Sequence, residues 1–572
     1  MNHRLAFLPN GLNRAFRLGQ MGWLRLFFTV LPAIIVASMG MPARGQNPPV
    51  KPGDLGATGR SGSVAQSLAE ADQSYRSGKL DEAAEEYKRV LQGEPGSAAA
   101  YVGLARIYLK QNRTAEAYAA ADKAYELAPG LDTVRVLRGE IFFRQGKINE
   151  AEKEFTDLIK AGTTLARADL GLARVYKAKS YYEHAKIAID RAYQLDSTDP
   201  DIVKERFGYL SLADRIKGLR LYMWGNADDG SKERRDMASW LAALEQESSL
   251  HDRPCRPVAP IKAMETRLEP LLYNMNAVRG YGLRVKLNAG SAKLLLDTGA
   301  SGLVISRKAA ERAGVKHIVD TEIRGAGDKG PAHGYIGYVE SVGVGELEFR
   351  DCYVRVTDSN SITEEEGLIG GDLFSDYLVD IDFPNAKLKL SQLPARPGTS
   401  TEVAGPTGAG ATGAAANSKQ ASEVPRFHDR YVAPEMKTFT PILRFGHDLL
   451  LWTQLNDLPP KLFVLDTGAF ANIISPSAAA EVTKVSSDSS RTVKGINGAV
   501  KDVFRADEFT LKFANLRQKS RDVVALDTTG QSASIGTEIS GFLGFAMLRV
   551  LEIKIDYRDG LIDFEYNPNR LH

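Results

Sequence analysis

Residues 294–306 read LLLDTGASGLVIS: three leucines, the triplet Asp297-Thr298-Gly299 and a second apolar run. An acid set between two strand-like apolar segments is a costly choice for a core, because a buried carboxylate needs a partner or a proton. Asp297 therefore demands a mate, and the chain supplies one. Residues 462–475, LFVLDTGAFANIIS, repeat the stretch element for element around Asp466-Thr467-Gly468.

The likeness runs on downstream. Two apolar residues and a glycine recur at Leu368-Ile369-Gly370 and Phe542-Leu543-Gly544, and an Ile-Asp-aromatic strand recurs at Ile381-Asp382-Phe383 and Ile555-Asp556-Tyr557. Hairpin signals close each copy, around Pro384-Asn385 and Asp559-Gly560. Both regions show short alternating apolar runs broken by Gly, Asn and Asp, the texture of all-β structure with tight turns. The copies occupy 270–392 and 430–567, and the Gly/Ala/Thr-rich segment 393–429 between them reads as a flexible linker.

One Asp-Thr-Gly triplet is weak evidence, but two in matching context are specific. On these motifs the chain resembles the retropepsin-like aspartic proteases, fused in tandem like the two-lobed pepsin arrangement. The resemblance implies two all-β lobes forming a pseudo-dimer, with Asp297 and Asp466 as a catalytic dyad. Two carboxyls held close together cannot both ionise and so share one proton. The ionised member activates a water, and the protonated one polarises the scissile carbonyl. Gly299 and Gly468, without Cβ atoms, let backbone N–H groups approach the carboxylates. By the same resemblance, Thr298 and Thr467 lock the two loops across the pseudo-twofold axis. Ala300 and Ala469 fit the retropepsin pattern. Ser301 keeps the residue common after that position in pepsin-like lobes, whereas Phe470 departs from it. Flap hairpins are expected at 324–338 and 493–503. Tyr335, Tyr338 and His333 in the first read as packing residues, and Asp382 and Asp556 as structural residues at strand ends.

A different texture precedes the lobes. Ala83, Ala117, Ala151 and Ala185 recur 34 residues apart, as do Ala71, Ala105, Gly139 and Ala173, and the aromatic series Tyr108, Phe142 and Tyr176. Small residues at close helix crossings with an aromatic plug describe stacked helical hairpins sharing one core. The segment 64–200 resembles four tetratricopeptide repeats, an all-α solenoid whose concave surface is a place for a protein partner. Residues 201–262 read as a helical cap and connector.

At the N-terminus, Arg4, Arg14, Arg17 and Arg25 precede the apolar run LFFTVLPAIIVASMGM, with small residues at Ala43 and Gly45. Segment 1–46 therefore reads as an export signal or an N-terminal membrane anchor, and 47–63 as a flexible leader. A net charge of +2, with 25% charged residues, argues against a nucleic-acid partner and against electrostatic attachment to membranes. Cys255 and Cys352 could pair in an oxidising compartment, but sequence does not set their distance, and unpaired thiols are the plainer reading. There is no HExxH, no Cys/His cluster, and no phosphate or dinucleotide fingerprint in a suitable context, so neither metal nor cofactor is expected.

The sequence thus reads as an exported aspartic endopeptidase acting on a protein or peptide substrate. The alternative is a non-proteolytic, peptide-binding scaffold of repeats and lobes. Separation of the Asp297 and Asp466 carboxyls discriminates the two.

Overall fold

The computed structural model describes residues 55–225, 232–248, 255–274, 277–323, 325, 330, 332–358, 366–397, 427–495 and 498–567. The expected signal or anchor, most of the linker and the tips of both flap hairpins lie outside the described residues.

Eight helices form four antiparallel hairpins: α1 (Leu55–Arg76) with α2 (Leu80–Gly93), α3 (Ala98–Lys110) with α4 (Thr114–Leu127), α5 (Asp132–Arg144) with α6 (Ile148–Lys160), and α7 (Ala166–Ala178) with α8 (Tyr182–Leu195). Helix α1 starts at Leu55, inside the stretch expected to be a flexible leader. All eight positions of the two small-residue series are buried. A Cβ at Gly103 would stand 2.5 Å from Tyr87 Cε1, and one at Gly171 would stand 2.5 Å from Cε1 of fully buried Phe155. The deepest plugs are therefore Tyr87 and Phe155; Phe142 and Tyr176 of the expected aromatic series are only partly buried. Truncating Phe155 to Ala would cost about 3–5 kcal/mol.

The array ends where Asp199 accepts the N–H groups of Asp201 (2.8 Å) and Ile202 (3.4 Å) and Pro200 opens α9 (Pro200–Phe207). That combination is a strong helix start. Helices α10 (Leu212–Gly225) and α11 (Lys232–Ser248) follow. Strand structure begins earlier than the expected 270, at Arg256–Pro257 and Ala263–Arg267. Cys255 and Cys352 are joined in a disulfide, so the reading as unpaired thiols is overturned. The bond ties the segment entering the first lobe to the strand Leu347–Thr357.

Among the described residues, the first lobe is a nine-stranded sheet and the second a ten-stranded one. A six-stranded sheet takes strands from both and forms the seam. There Tyr377–Asp382 pairs antiparallel with Leu551–Asp556, bringing Val379 opposite Ile555 and Ile381 opposite Ile553. Asp382 sits at its strand end as expected, accepting from the Asn385 backbone and side chain and from Lys389. Asp556 accepts the Asp559 N–H at 3.0 Å in the matching turn.

The repeats are not a separate arm. Phe155, Ile148 and Val136 share one apolar cluster with Leu450, Leu462 and Val464 of the second lobe. Thr537 donates to the Phe143 carbonyl (2.7 Å), and the Glu538 N–H to that of Arg144 (2.7 Å). The last part of the expected linker is pinned too: Phe427 packs on Tyr209, and Asp429 accepts the N–H groups of Glu183 and His184.

Candidate active site

Each triplet lies where an apolar strand runs out. Gly290–Asp297 pairs in parallel with Gly367–Gly370, setting Gly370 level with Asp297. Lys461–Asp466 pairs likewise with Gly541–Gly544, setting Gly544 level with Asp466. The glycine ending each apolar-apolar-Gly motif is required by space. A Cβ at Gly370 would stand 2.5 Å from the Ala300 carbonyl oxygen, and one at Gly544 would meet the Ala469 and Ala471 carbonyls.

The two loops meet at the seam. Thr298 Oγ1 donates to the Leu465 carbonyl (2.8 Å) and accepts the Thr467 N–H (3.0 Å). Thr467 Oγ1 does the reciprocal, donating to Leu296 O (2.9 Å) and accepting the Thr298 N–H (3.0 Å). Both threonines are buried, so four polar groups are satisfied only across the lobe boundary. The grip positions the carboxyls of Asp297 and Asp466 within hydrogen-bonding reach of each other. Each triplet glycine faces the opposite aspartate. A Cβ at Gly299 would lie 3.0 Å from Asp466 Cγ, and one at Gly468 would lie 2.5 Å from Asp297 Oδ2. All six residues expected at the site, Asp297, Thr298, Gly299, Asp466, Thr467 and Gly468, are thus brought together.

The pair is not electrically symmetric. Asp466 Oδ1 accepts two backbone N–H groups, from Ala469 (2.8 Å) and Gly468 (2.9 Å), whereas Asp297 Oδ1 accepts one, from Gly299 (2.8 Å). Burial pushes Asp297 well above the ordinary carboxyl range, and the Asp466 charge beside it pushes in the same direction. Burial also raises Asp466, but its N–H donors and Asp297 oppose that. The backbone donors thus favour negative charge on Asp466 more than on Asp297.

Two acids at the site escaped the sequence reading. Asp372 accepts from the Ser301 hydroxyl (2.8 Å) and the Gly302 N–H (2.8 Å), bracing the first loop. Its signal was its place two residues after Gly370; the same place in the second lobe is Ala546. Asp448 opens the strand Asp448–Leu455, whose pairing of Leu450 with Val464, continued along the ladder, sets Asp448 opposite Asp466. The first-lobe counterpart is Gly280. Burial pushes the Asp448 carboxyl up to about 6, with the Asp466 and Asp372 charges adding to the rise and His447 opposing it. Its charge in turn helps to raise Asp297.

The flap regions hold hairpins. Lys316–Ile323 pairs with Ala332–Val344, and Val493–Gly495 with Gly498–Val500. Tyr335 is buried against His317 and Arg307, and Tyr338 donates to Asp351, so both serve packing as expected. Phe470 is 48% exposed, and its carbonyl accepts the Ala546 N–H (2.8 Å). Among the described residues, no three His, Cys, Asp or Glu side chains are placed to hold a metal ion.

Comparison with known proteins agrees with this architecture. The aspartyl protease family matches twice, at residues 283–373 and 453–546, and the tetratricopeptide repeat family matches residues 74–124. The chain thus carries two retropepsin-like copies behind a repeat segment. It is 22% identical over 209 residues to DNA damage-inducible protein 1 of Saccharomyces cerevisiae, covering 34% of this chain and 44% of that protein. It is 30% identical over 134 residues to human Protein O-mannosyl-transferase TMTC1, covering 23% of this chain and 15% of that one. To bovine DnaJ homolog subfamily C member 3 it is 29% identical over 84 residues, covering 15% and 17%. The chain thus spans less than half the length of each of these relatives. A solved structure from a functional characterization of Pseudomonas aeruginosa pilF aligns with 33% of this chain and 88% of its own, at 17% identity and a TM-score of 0.23.

Proposed function

We propose that this chain is an exported aspartic endopeptidase that cleaves peptide bonds with the Asp297/Asp466 dyad, and that its repeats recruit a protein substrate or partner. The observation that supports the reading is the reciprocal threonine grip, which joins the two loops that carry Asp297 and Asp466. Ionised Asp466 takes a proton from a water, whose oxygen attacks the scissile carbonyl carbon. Asp297 gives its proton to the carbonyl oxygen as the tetrahedral diol forms. Collapse breaks the C–N bond: Asp466 passes its proton to the leaving amine, and Asp297 recovers one from a diol hydroxyl. The cycle ends with the dyad singly protonated, and water is the only co-reactant.

Export is supported by the basic-then-apolar N-terminal segment and by the Cys255–Cys352 disulfide, a bond favoured in oxidising compartments. The test is cleavage of a denatured protein by the full chain at acidic pH. Cleavage blocked by pepstatin, untouched by a chelator and lost in Asp297→Asn and in Asp466→Asn is the expected result. Full cleavage by either folded variant would refute the dyad, and no cleavage by the folded parent chain would favour the scaffold.

A further inference from the structure

The repeats press on the two strands that support the second lobe's aspartate. Along Lys461–Asp466, Phe463 and Leu465 face the lobe core. Leu462 and Val464, on the face that Asp466 continues, pack instead into the cluster shared with Val136, Ile148 and Phe155 of the repeats. The neighbouring strand Gly541–Gly544 is held at its entry. Thr537 Oγ1 donates to the Phe143 carbonyl and Glu538 N–H to that of Arg144 (2.7 Å each), and Ser540 N–H donates to Leu462 O (2.7 Å). A few residues on, Gly544 lies level with Asp466. At the matching places the first lobe has Lys293 for Leu462 and Arg284 for Trp452, and both reach out to Glu269. One face is built for water, the other for the repeats.

The pressure point is a single turn. Gly146, between α5 and α6, has a φ of 72°, and a Cβ there would stand 3.0 Å from Leu462 Cδ1 and 3.2 Å from the Glu538 carbonyl oxygen. Backbone conformation alone does not demand glycine in this turn. The equivalent positions one repeat before and one repeat after hold Asn112 and Ser180, at φ 57° and 61°. Two repeats earlier, Gly78 has a φ of 80°, and nothing lies within 4 Å of where its Cβ would be. At Gly146 it is space that excludes a side chain, and the second lobe fills that space.

We propose that the turn between α5 and α6 is a positioning element for the second half of the dyad: Gly146, Thr537 and Glu538 set the entry of two strands, and those strands set Asp466. This role rests on the reading of Asp466 as a catalytic group. The path is short and continuous. One branch runs from the turn through Leu462 to the end of its own strand. The other runs from Glu538 along Gly541–Gly544 to Phe545, whose N–H donates to the Ala469 carbonyl (2.7 Å). The Ala469 N–H in turn donates to Asp466 Oδ1 (2.8 Å). Close-packed strands transmit a displacement rather than absorb it. A tilt of α5 and α6 therefore moves Asp466 relative to Asp297, and a misplacement of about 1 Å at a reacting group is enough to cost about 10²-fold in rate. Cleavage is thus open to control from the repeats without anything entering the cleft.

The experiment compares Gly146→Ala with Gly78→Ala in the full chain. Both put a methyl at positive φ in the same kind of turn, but only the first drives it against Leu462 and Glu538. Hydrogen exchange in the loops 466–472 and 297–302 is followed by mass spectrometry, and kcat and KM are measured on a peptide substrate. We expect Gly146→Ala to speed exchange in the second-lobe loop at least about threefold more than in the first. Its kcat should fall about tenfold while KM changes less than about twofold, the mark of a displaced group rather than a lost binding contact. Gly78→Ala should do neither. Should Gly146→Ala not fold, Thr537→Val, which removes the hydroxyl donated to Phe143, is read against Gly78→Ala and should show the same selective change. Equal effects of the compared variants, equal exchange in the two loops, or an unchanged second-lobe loop would overturn the proposal. Exchange needs no turnover, so a chain that cleaves nothing would sink the peptidase reading while exchange still decides this one.

Discussion

The two lobes repeat one fold but hold their aspartates differently. In the first, the loop after Asp297 is braced by side chains, with Asp372 accepting from Ser301 and Gly302. In the second, Ala546 and Phe470 replace that acid and that hydroxyl. The loop is instead held by backbone, Phe545 N–H to Ala469 O (2.7 Å) and Ala546 N–H to Phe470 O (2.8 Å), together with Asn472 accepting the Gly544 N–H (2.9 Å). The second aspartate also receives one more N–H than the first, and a third acid, Asp448, stands opposite it where the first lobe has Gly280. Duplication supplies two like carboxyls; the differences between the copies give them unequal surroundings.

The sharpest break in this comparison comes at the paired glycines. Gly468→Ala would drive a methyl to 2.5 Å from the Asp297 carboxyl and should lower kcat/KM by roughly 10²-fold or more. Gly299→Ala, with 3.0 Å to Asp466 Cγ, should be clearly milder. Equal losses in a peptide-cleavage assay would erase the asymmetry. Next in size is the grip, where the lobes should behave alike. Thr298→Val and Thr467→Val each orphan a buried carbonyl and a buried N–H, at about 1–3 kcal/mol per group. Both should lower the melting temperature to a similar degree, and unequal effects would show that one lobe carries the other.

Smaller still is the brace. Asp372→Ala releases one hydroxyl and one N–H in a partly buried loop and should cost about 1–2 kcal/mol in chemical denaturation. Ala546→Gly at the matching place loses no such bond and should change stability by less than that. The smallest effect is electrostatic. Asp448 is ionised above about 6, and its charge helps keep the proton on Asp297. Asp448→Asn removes that charge, so Asp297 gives up its proton more readily and the alkaline limb of the activity profile should move to lower pH, by less than about one unit. A shift to higher pH would reverse the assignment of the proton.

Much of this was legible in the sequence because its signals are local. The triplets, the apolar-apolar-Gly motifs and the 34-residue alanine series each mark a close backbone or helix contact, and the structure fills those positions as small residues must. What was not legible depends on contacts between distant segments. Nothing near Phe143 or Arg144 announces that the repeats dock on Thr537 and Glu538 nearly four hundred residues later. The Cys255–Cys352 bond likewise needs the fold to bring its ends together. Asp448 was hidden for a related reason, since its importance lies in strand register, and register appears only once Leu450 is set against Val464. Helix α1 was missed at its start because the Gly-rich stretch from Leu55 carries no apolar periodicity that marks a helix.

The central claim is that Asp297 and Asp466 titrate as one pair sharing a proton. The most direct measurement is the pH dependence of kcat/KM for a peptide substrate cleaved by the full chain. A bell-shaped profile is predicted, its acid limb marking loss of the charge on the pair and its alkaline limb loss of the shared proton. A rate that climbs steadily into the alkaline range, with no fall where the second proton leaves, would contradict it.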